Sequence, residues 1–487
     1  RTVMNIVIFG IGCVYLKKKK YFFNDNIVAY IDNNDNLVGS SIDGICVHKV
    51  ENIKELTYDY IIPMSLDTKN MIAQLLQYGV DADKILLFED YCAIRLKNID
   101  FHSEKNHYGA SDIKGKVLLV VPVIDDSGVP VVNFRLADLL VRKHYDVTIL
   151  APFGEERIIK NMVKKGISVS IIPSLISYKY ANFSIKQDEF DLIIANSPGN
   201  WPFVAKVGWN NKIHWWFHDP MNVYQNEIHK IQKYIQIKKN EDGTNKSLFC
   251  KKNIAVHAVS EIAAKVFISI FGEIIDKNVD ILPYALPDIS NGTLNVKSDK
   301  IIFSIIGYST PIKGQDIFVN AVKKMKYSDK AEFWIVWLFD ETTRFCKFIL
   351  ENIKDTNNIK IKGIIPNEQM EKLYSEIDVV VSASRQDMLP TVLAEGMQHK
   401  KICITSDCTG MADFISDMDN GFVFEAENEN QLAEKMDYII NNFEYLRYIE
   451  DNAYKTYKTN FSENILYKRI EKMINELGNC ETRGARS

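Results

Sequence analysis

Short apolar runs alternate with amphipathic stretches along most of the chain, and the best-defined example lies in its last third. Residues 379–381 form an apolar run with the length of a buried strand, and residues 382–388 form a polar loop. Pro390 then marks the start of a helix, because its fixed φ suits the first turn and its missing N–H is not needed there. A second apolar run, residues 402–405, follows the helix. This stretch predicts a strand, a loop, a helix and a strand, with polar loops at the strand ends.

The same alternation recurs along the whole chain and predicts an α/β protein with several units. Four short apolar runs precede a polar stretch that has no apolar period and is interpreted as a linker. Two larger units with strand and helix patterns follow, and a terminal helix closes the chain. The predicted division is an N-terminal module over 1–100, a linker over 101–114, a second domain over 115–290, a third domain over 291–460 and a terminal helix over 461–480.

Composition narrows the class of protein without naming a function. The 487 residues are 46% hydrophobic and 25% charged, which is ordinary for a globular protein, and the net charge of −4 gives no reason to expect a nucleic-acid partner. The eight cysteines form no C-x-x-C pair, so we expect reduced thiols and neither a disulfide framework nor a zinc site. No apolar run has the ~18 residues of a membrane helix. These features predict a cytoplasmic protein.

The N-terminal module carries part of a dinucleotide-binding pattern. Its first apolar run ends in Gly10-Ile-Gly12, and Asp32 follows at about the distance of a ribose-binding acid. Tyr15 stands where the third glycine of that fingerprint is expected, so the pattern is incomplete. Two interpretations stay open. The module is a structural or assembly unit, through which the chain could self-associate, or it binds a nucleotide or nucleotide-sugar.

Four consecutive lysines, residues 17–20, stand at the predicted end of the first helix. One interpretation is a solvated face whose charge complements the helix dipole. The other is peripheral contact with anionic lipid headgroups, which would place the protein at the inner face of the membrane.

Two motifs in the third domain resemble a known family. Asp387 and Glu395 bracket seven residues that include Pro390, which is similar to the E-x7-E motif of the retaining family 4-type (group 1) glycosyltransferases of the GT-B fold. Upstream, the segment from Gly307 to Gly314 resembles the G-R-x-x-x-x-K-G segment of that family. The resemblance covers about residues 117–461. It implies two Rossmann-like domains facing across a cleft, here preceded by a small Rossmann-like α/β domain.

The resemblance also implies an activity. Members of this family transfer a sugar, with retention at the anomeric carbon, from a nucleotide-diphosphate-sugar to an acceptor. We expect a glycan, lipid-linked or protein-linked acceptor in bacterial surface polysaccharide or glycoconjugate synthesis. Neither a metal nor a cofactor is implied. UDP-, GDP- and dTDP-sugars all fit the motif as donors.

The family assigns roles to matching residues of the donor site. Lys313 would neutralise the diphosphate, and the backbone N–H groups of Thr391 and Val392 would meet the phosphates at a helix N-terminus. Glu395 resembles the second Glu, which accepts from the ribose hydroxyls. Asp387 would stand in for the first Glu and contact the donor sugar, although its side chain is one methylene shorter.

Three further positions complete the expected site. Gly307 begins the donor loop. Gly128 stands in the first loop of the second domain, where a glycine lets the backbone approach a ligand, although an ordinary strand-to-helix turn explains it equally well. His218 follows a predicted strand at a place where the family often has a sugar-contacting histidine. A histidine there is as often a packing residue.

One departure from the family leaves the function open. Tyr308 occupies the place of the Arg that shares the diphosphate with the Lys, and loss of one such donor typically costs about 10²–10³ in rate. Arg385 could supply the missing charge, the enzyme could be slow, or the chain could be a sugar-nucleotide-binding scaffold without activity. A nucleotide-sugar epimerase of the two-domain GT-B kind is a further alternative.

Overall fold

The structure is a computed structural model of the 487-residue chain. It describes residues 2–65, 68–103, 112–126, 128–181, 185–186, 189–219, 228, 238–239, 245–246, 253–271, 279–289, 299–336 and 343–484. Most of the predicted linker, and the start of the predicted third domain, lie outside these residues.

A five-stranded sheet forms the N-terminal module, in the order β3-β4-β2-β1-β5. Its strands are parallel except for the antiparallel pair β3 and β4. The strands are β1 (Asn5–Phe9), β2 (Asn26–Ile31), β3 (Ser41–Ile42), β4 (Ile45–His48) and β5 (Tyr60–Pro63), and the helices are α1 (Cys13–Lys18), α2 (Thr68–Gln77) and α3 (Phe88–Arg95).

An eight-stranded sheet forms the second domain, in the order β15-β14-β11-β10-β7-β8-β9-β6. All its pairs are parallel except β6 with β9. Its strands are β6 (Ile99–Phe101), β7 (Gly115–Val120), β8 (Tyr145–Ala151), β9 (Ser168–Ile171), β10 (Leu192–Asn196), β11 (Ile213–Phe217), β14 (Ile254–Ala258) and β15 (Asp280–Ile281). Its helices are α4 (Gly128–Arg142), α5 (Glu156–Lys164), α6 (Trp201–Val207) and α7 (Glu261–Phe271), and β12 (Lys238–Lys239) pairs with β13 (Asn245–Lys246) apart from this sheet.

A six-stranded parallel sheet forms the third domain, in the order β18-β17-β16-β19-β20-β21. The strands are β16 (Ile301–Ile306), β17 (Ala331–Val336), β18 (Ile359–Gly363), β19 (Val379–Ser382), β20 (Ile402–Ser406) and β21 (Phe422–Phe424). The helices are α8 (Gln315–Lys324), α9 (Arg344–Ile353), α10 (Met370–Glu376), α11 (Thr391–Gln398), α12 (Glu429–Asn442), α13 (Arg447–Asn460) and α14 (Glu463–Gly484). The predicted α/β class with the two facing domains of a GT-B fold is confirmed.

The strand sequences explain why these sheets are covered on both sides. All four residues of β19 and all five residues of β20 are buried, as expected for central parallel strands with helices on both faces. Crossover helices then put the loops that follow these strands at one edge of the sheet. The polar loops predicted from the sequence therefore lie together at the carboxyl ends of β16, β19 and β20.

The N-terminal module is joined to the second domain by a strand as well as by packing. Residues 99–101 form β6, and Asp100 pairs with Ser170 at the edge of the second sheet. The predicted linker therefore begins within a strand, because Phe101 is the last residue of β6. Phe153 of the second domain packs against the module core, with its ring centroid 4.4 Å from that of Tyr21.

The terminal helix contacts the second domain. Arg142 at the end of α4 forms an ion pair with Glu463 at a distance of 2.5 Å. Lys114 donates a hydrogen bond to the Tyr467 hydroxyl at 3.0 Å. No helix among the described residues is long and apolar enough to cross a membrane.

Candidate functional site

The loop after β16 is built around two glycines with positive φ. Gly307 has φ +147° and Gly314 has φ +72°, values that L side chains rarely adopt. A Cβ on Gly314 would lie 1.9 Å from the carbonyl oxygen of Ala383, so this position also requires the missing side chain. The close approach holds the loop that carries Lys313 against the end of β19.

The loop after β19 is fixed by backbone contacts on both sides. The Arg385 amide donates to the carbonyl of Ile312 at 2.8 Å, and the Gly410 amide donates to the carbonyl of Asp387 at 2.8 Å. A Cβ on Gly410 would lie 1.8 Å from the carbonyl oxygen of Met388. The loops after three adjacent strands are therefore packed together, and this brings the predicted donor-site segments into one place.

Lys313 and Asp387, two of the predicted site residues, form an ion pair. Lys313 Nζ lies 2.6 Å from Asp387 Oδ2, and the Asp387 side chain is only 14% exposed. The other carboxylate oxygen accepts from the Leu389 amide at 3.3 Å. The lysine ammonium is thus held at the sheet edge by a carboxylate, and an incoming anion would share or replace that partner.

Arg385 is engaged by protein groups on all sides of its guanidinium. Its Nε donates to Glu427 Oε1 at 2.7 Å, and its two terminal nitrogens bind Asp316 at 3.0 and 2.8 Å. A terminal nitrogen also donates to the Pro311 carbonyl. The hydrogen bonds to Asp316, followed by those to Glu427, raise the pKa of Arg385 above its usual value. These contacts count against Arg385 as the replacement phosphate cation and make it a clamp on the Lys313 loop.

Tyr308 leaves the position of the family Arg without a cation. Its side chain is half exposed. Its carbonyl accepts a hydrogen bond from Gln315 Nε2 at 3.0 Å, which fixes the backbone of the loop. Of the two predicted cations, Lys313 pairs with Asp387, whereas Arg385 pairs with Asp316 and Glu427.

Helix α11 begins at Thr391, one residue after the predicted start. Pro390 precedes it with φ −66° and ψ 115°, and provides no side-chain cap. The first amides of a helix have no partner within the helix, so those of Thr391 and Val392 point out of its N-terminus beside the Asp387 loop. Phosphate binding at these amides stays a prediction.

Glu395, in the second turn of α11, is bound by two side chains. Its Oε1 accepts from Arg135 at 3.2 Å, and its Oε2 accepts from the Tyr374 hydroxyl at 2.9 Å. Burial first, and then the charge of Glu395, raise the pKa of Tyr374 well above its usual value, so the phenol stays a donor. Arg135 belongs to α4 of the second domain, so the Glu395 carboxylate lies at the cleft between the domains.

The same cleft is closed beside the Asp387 loop by two residues of the second domain. Ser260 donates to the Met388 carbonyl at 2.6 Å, and Tyr284 donates to the Leu389 carbonyl at 3.2 Å. Burial raises the pKa of Tyr284 well above its usual value, and the charges of Asp387 and Glu395 add to the effect. The candidate donor loop is therefore part of the interface between the domains.

Gly128 and His218 lie on the second domain. Gly128 begins α4, and a Cβ there would meet nothing within 4 Å, so local packing does not explain a glycine. His218 follows β11 with its ring 4.3 Å from that of Trp216, and burial lowers its pKa to about 3. Among the described residues, the buried His218 Nε2 atom has no hydrogen-bond partner. Neither residue bonds to Lys313 or Asp387 within that part of the chain.

Arg135, Asp316 and Tyr374 are among the residues of this site that were not predicted from the sequence. Each meets its partner through the tertiary structure. Arg135 and Glu395 are 260 positions apart, and Asp316 and Arg385 are 69 apart. Tyr374 is buried in α10, and its hydroxyl binds Glu395. Periodicity reveals which face of a helix is buried and not which polar atom ends beside a carboxylate.

In the N-terminal module, both carboxylate oxygens of Asp32 accept hydrogen bonds from backbone amides. One carboxylate oxygen accepts from the Ile11 amide at 2.9 Å and the other from the Asn34 amide at 2.9 Å. Asp32 thus ties the glycine turn to the end of β2. These bonds favour the structural interpretation of the module over ribose binding.

The described residues contain no group of three or more His, Cys, Asp or Glu side chains placed to hold a metal ion.

Comparisons with known proteins assign two segments of the chain to sequence families. Residues 289–456 match the family model described as Glycosyl transferases group 1. Residues 2–86 match the model described as C2185-like, N-terminal. The first match includes Lys313, Asp387 and Glu395.

Curated relatives match the chain over about a third of its length. An uncharacterized glycosyltransferase of Methanocaldococcus jannaschii is 26% identical over 175 residues, which are 35% of this chain and 47% of that protein. The poly(ribitol-phosphate) alpha-N-acetylglucosaminyltransferase of Staphylococcus aureus is 27% identical over 156 residues, which are 32% of this chain and 31% of that protein. The chain therefore spans less than half the length of these relatives.

A solved structure, Anabaena HepE in complex with UDP, covers 74% of this chain and 100% of its own, with 15% identity and a TM-score of 0.59. At this level of identity the likeness concerns the fold. The chain thus has the GT-B fold, and its segment 289–456 matches the family model of the group 1 glycosyltransferases.

Proposed function

We propose that the chain is a retaining, metal-independent glycosyltransferase. It moves a sugar from a nucleotide-diphosphate-sugar to a glycan, lipid-linked or protein-linked acceptor in bacterial surface polysaccharide or glycoconjugate synthesis. The observation that carries the proposal is the pairing of Lys313 with Asp387 at 2.6 Å beside the N-terminus of α11. A cation, a carboxylate and a helix N-terminus there are the elements that a sugar diphosphate requires.

The diphosphate would bind where Lys313 and the amides of Thr391 and Val392 converge. Negative charge grows on the leaving phosphate oxygen during transfer, and a fixed ammonium and a helix N-terminus both stabilise it. As the diphosphate takes over Lys313, the Asp387 carboxylate becomes available to the donor sugar. Glu395 would accept hydrogen bonds from the ribose.

In this proposal the bond between the anomeric carbon and the β-phosphate oxygen breaks as a bond to the acceptor oxygen forms on the same face of the sugar. The hydroxyl proton of the acceptor leaves with the nucleoside diphosphate. HepE has been solved in complex with UDP and with UDP-glucose, so UDP-sugars are the first donors to test.

A catalytically weak or dead sugar-nucleotide-binding scaffold is the second candidate. Two observations favour it: Tyr308 in place of the family Arg, and the engagement of Arg385 by Asp316 and Glu427. With one cation instead of two, binding of a nucleotide could persist while turnover falls.

For the partners and location of the protein, we propose contact with an anionic lipid surface through the N-terminal module. Leu16 and Phe23 are 59% and 75% exposed and flank the lysines at 17–20. Apolar side chains beside lysines are the composition of interfacial lipid-binding surfaces. A lipid-linked acceptor would be delivered at such a surface on the cytoplasmic side.

The experiment that tests the function is a panel of UDP, GDP and dTDP and their sugars, scored by thermal shift and by release of free sugar. A ligand that binds the native state raises the melting temperature by linkage. We expect one nucleotide to stabilise the wild-type chain, with slow sugar release, and Glu395→Ala to lose most of both. Glu332→Ala, which removes a carboxylate from an exposed ion pair in the same domain, is the matched control.

The outcomes separate the candidates. Stabilisation together with sugar release supports the transferase, and stabilisation without turnover on any acceptor supports the scaffold. If no nucleotide raises the melting temperature of the wild-type chain, the donor site is wrong and both candidates fall.

A further inference from the structure

An ion pair crosses the cleft between the second and third domains. Arg135, near the middle of α4, donates from a terminal nitrogen to Glu395 Oε1 at 3.2 Å. The two side chains are 26% and 18% exposed, so water screens the pair only in part. Among the described residues it is the ion pair that links α4 to α11.

Arg135 and Tyr374 hold the two oxygens of one carboxylate from different domains. Arg135 binds Oε1, and the Tyr374 hydroxyl of α10 binds Oε2 at 2.9 Å. A carboxylate has about four lone-pair positions, so each oxygen keeps the capacity to accept another hydrogen bond. With both oxygens held, the carboxylate plane is fixed, and its remaining acceptor positions have a fixed direction.

We propose that Arg135 is a positioning residue for the donor nucleotide. From the acceptor-side domain it fixes the Glu395 carboxylate in the orientation that accepts the two ribose hydroxyls. Selection of a ribonucleotide then depends on both domains, because the residue that binds ribose is aligned only when α4 lies against α11. This inference rests on the proposed function, which places the ribose at Glu395.

Removing Arg135 has a predictable consequence for Glu395. Tyr374 would still hold Oε2, so the carboxylate would stay near its place but could rotate about that single contact. The strength of a charge-assisted hydrogen bond depends on its geometry, so the bonds from the ribose hydroxyls to a rotating Glu395 carboxylate would weaken. We expect ribonucleotide affinity to fall roughly tenfold. The diphosphate contacts at Lys313 and α11 do not involve Arg135 and should persist.

The chain offers a matched control for this change. Arg157, also in the second domain, pairs with Asp126 at 2.6 Å, but the two side chains are 73% and 64% exposed. Arg157→Ala removes the same charge from the same domain without touching α4 or Glu395. Arg135→Lys keeps the charge at the site and serves as the second variant if Arg135→Ala does not fold.

The test compares a ribonucleoside diphosphate with its 2′,3′-dideoxy analogue, which has the same base and phosphates and lacks both hydroxyls. The base is the one that most stabilises the wild-type chain, and affinities are measured by titration calorimetry. We expect the wild-type chain and Arg157→Ala to prefer the ribonucleotide. Glu395→Ala and Arg135→Ala should bind both nucleotides almost equally, and Arg135→Lys should recover part of the preference. In turnover, Arg135→Ala should raise the donor KM and change kcat little.

Each result decides a different claim. If Arg135→Ala keeps the wild-type preference for ribose while Glu395→Ala loses it, the positioning role is wrong and the donor site stands. If Arg135→Ala weakens both nucleotides equally, the arginine acts on the structure in general, and the inference is again overturned. If the wild-type chain binds no nucleoside diphosphate, the proposed function fails and takes this inference with it.

Discussion

In the proposed mechanism, Lys313 is the side chain on which the donor chemistry depends most. Arg385 is bound to Asp316 and Glu427, and Tyr308 carries no charge, so Lys313 is left as the cation paired with Asp387 at 2.6 Å. We expect Lys313→Ala to lower kcat by about 10²–10³, because one preorganised donor to the leaving phosphate is lost.

Asp387→Asn should keep nucleoside diphosphate binding and lose turnover, since it releases the lysine but removes the sugar-contacting carboxylate. Steady-state kinetics and nucleotide titration measure both effects.

The control for these variants is Lys360→Ala, because Lys360 forms a similar ion pair with Glu332 at 2.7 Å on an exposed face of the same domain. It should leave kcat and nucleotide affinity unchanged. Full turnover in Lys313→Ala would contradict the assignment of the phosphate cation.

Single residues also show what could be predicted from the sequence and what could not. The motif includes Gly314, and the structure explains why this position is a glycine: the backbone there leaves no room for a side chain. The sequence could not show that Arg385 is bound by two carboxylates, since Asp316 and Glu427 lie 69 and 42 positions away and meet it only in the folded chain. Local sequence gives the type of a side chain, whereas its partners depend on the tertiary structure.

Helix α1 and the short helix over residues 19–22 present a surface on which lysines lie beside exposed apolar side chains. Phe23 is 75% exposed and Leu16 is 59% exposed, beside the lysines at 17–20. We expect the chain to bind vesicles containing phosphatidylglycerol and not vesicles of phosphatidylcholine alone, with binding that weakens as salt rises. Phe23→Ser with Lys20→Ala should reduce binding about tenfold, because one basic contact near the surface contributes about 1 kcal/mol and the apolar contact adds to it. Vesicle co-sedimentation measures it.

A matched pair of residues on α9 controls for loss of charge and apolar area in general. Lys347 is exposed and Phe348 is 45% exposed on the third domain. Lys347→Ala with Phe348→Ser should leave vesicle binding intact. Equal losses in the two double variants would mean that the protein has no specific lipid surface on its N-terminal module.

Elements were predictable where their sequence pattern was long and unmixed. The strand, loop, helix and strand over β19, α11 and β20 were predicted in order, and the helix start and the ends of both strands each differ from the prediction by one residue. In contrast, β6 was missed because three residues with one central acid show no recognisable period. It is a strand because β9 offers a sheet edge, and its pairing is antiparallel where the rest of the sheet is parallel.

In the whole molecule, the N-terminal module and the second domain share more than a chain connection. Strand β6 extends the second sheet, Ser177 donates to Asp90 at 2.6 Å, and Phe153 lies with its ring 6.2 Å from that of Phe88. The sequence predicted a module followed by a linker, and could not show this docking, because none of these contacts is local. The module and the second domain should therefore each stabilise the other against unfolding.

Phe153→Ala tests that coupling, since the ring contributes to both the module core and the contact between the units. We expect it to lower the free energy of unfolding by about 2 kcal/mol, less than a fully buried Phe would cost because the ring is half-buried. Denaturant unfolding measures that change, and hydrogen exchange locates it. Amides of β1 and β2 should exchange faster, while those of β16 and β19 should keep their rates, because Phe153 packs against the core of the N-terminal module.

The control for this prediction is Phe348→Ala, which removes an exposed ring from α9 and should change neither quantity measurably. Nucleotide affinity should survive in Phe153→Ala, since Lys313, Asp387 and α11 all belong to the third domain. A loss of nucleotide binding there would show that the module acts on the donor site. Unchanged exchange in β1 and β2 would instead mean that the aromatic contact adds nothing to the stability of the module.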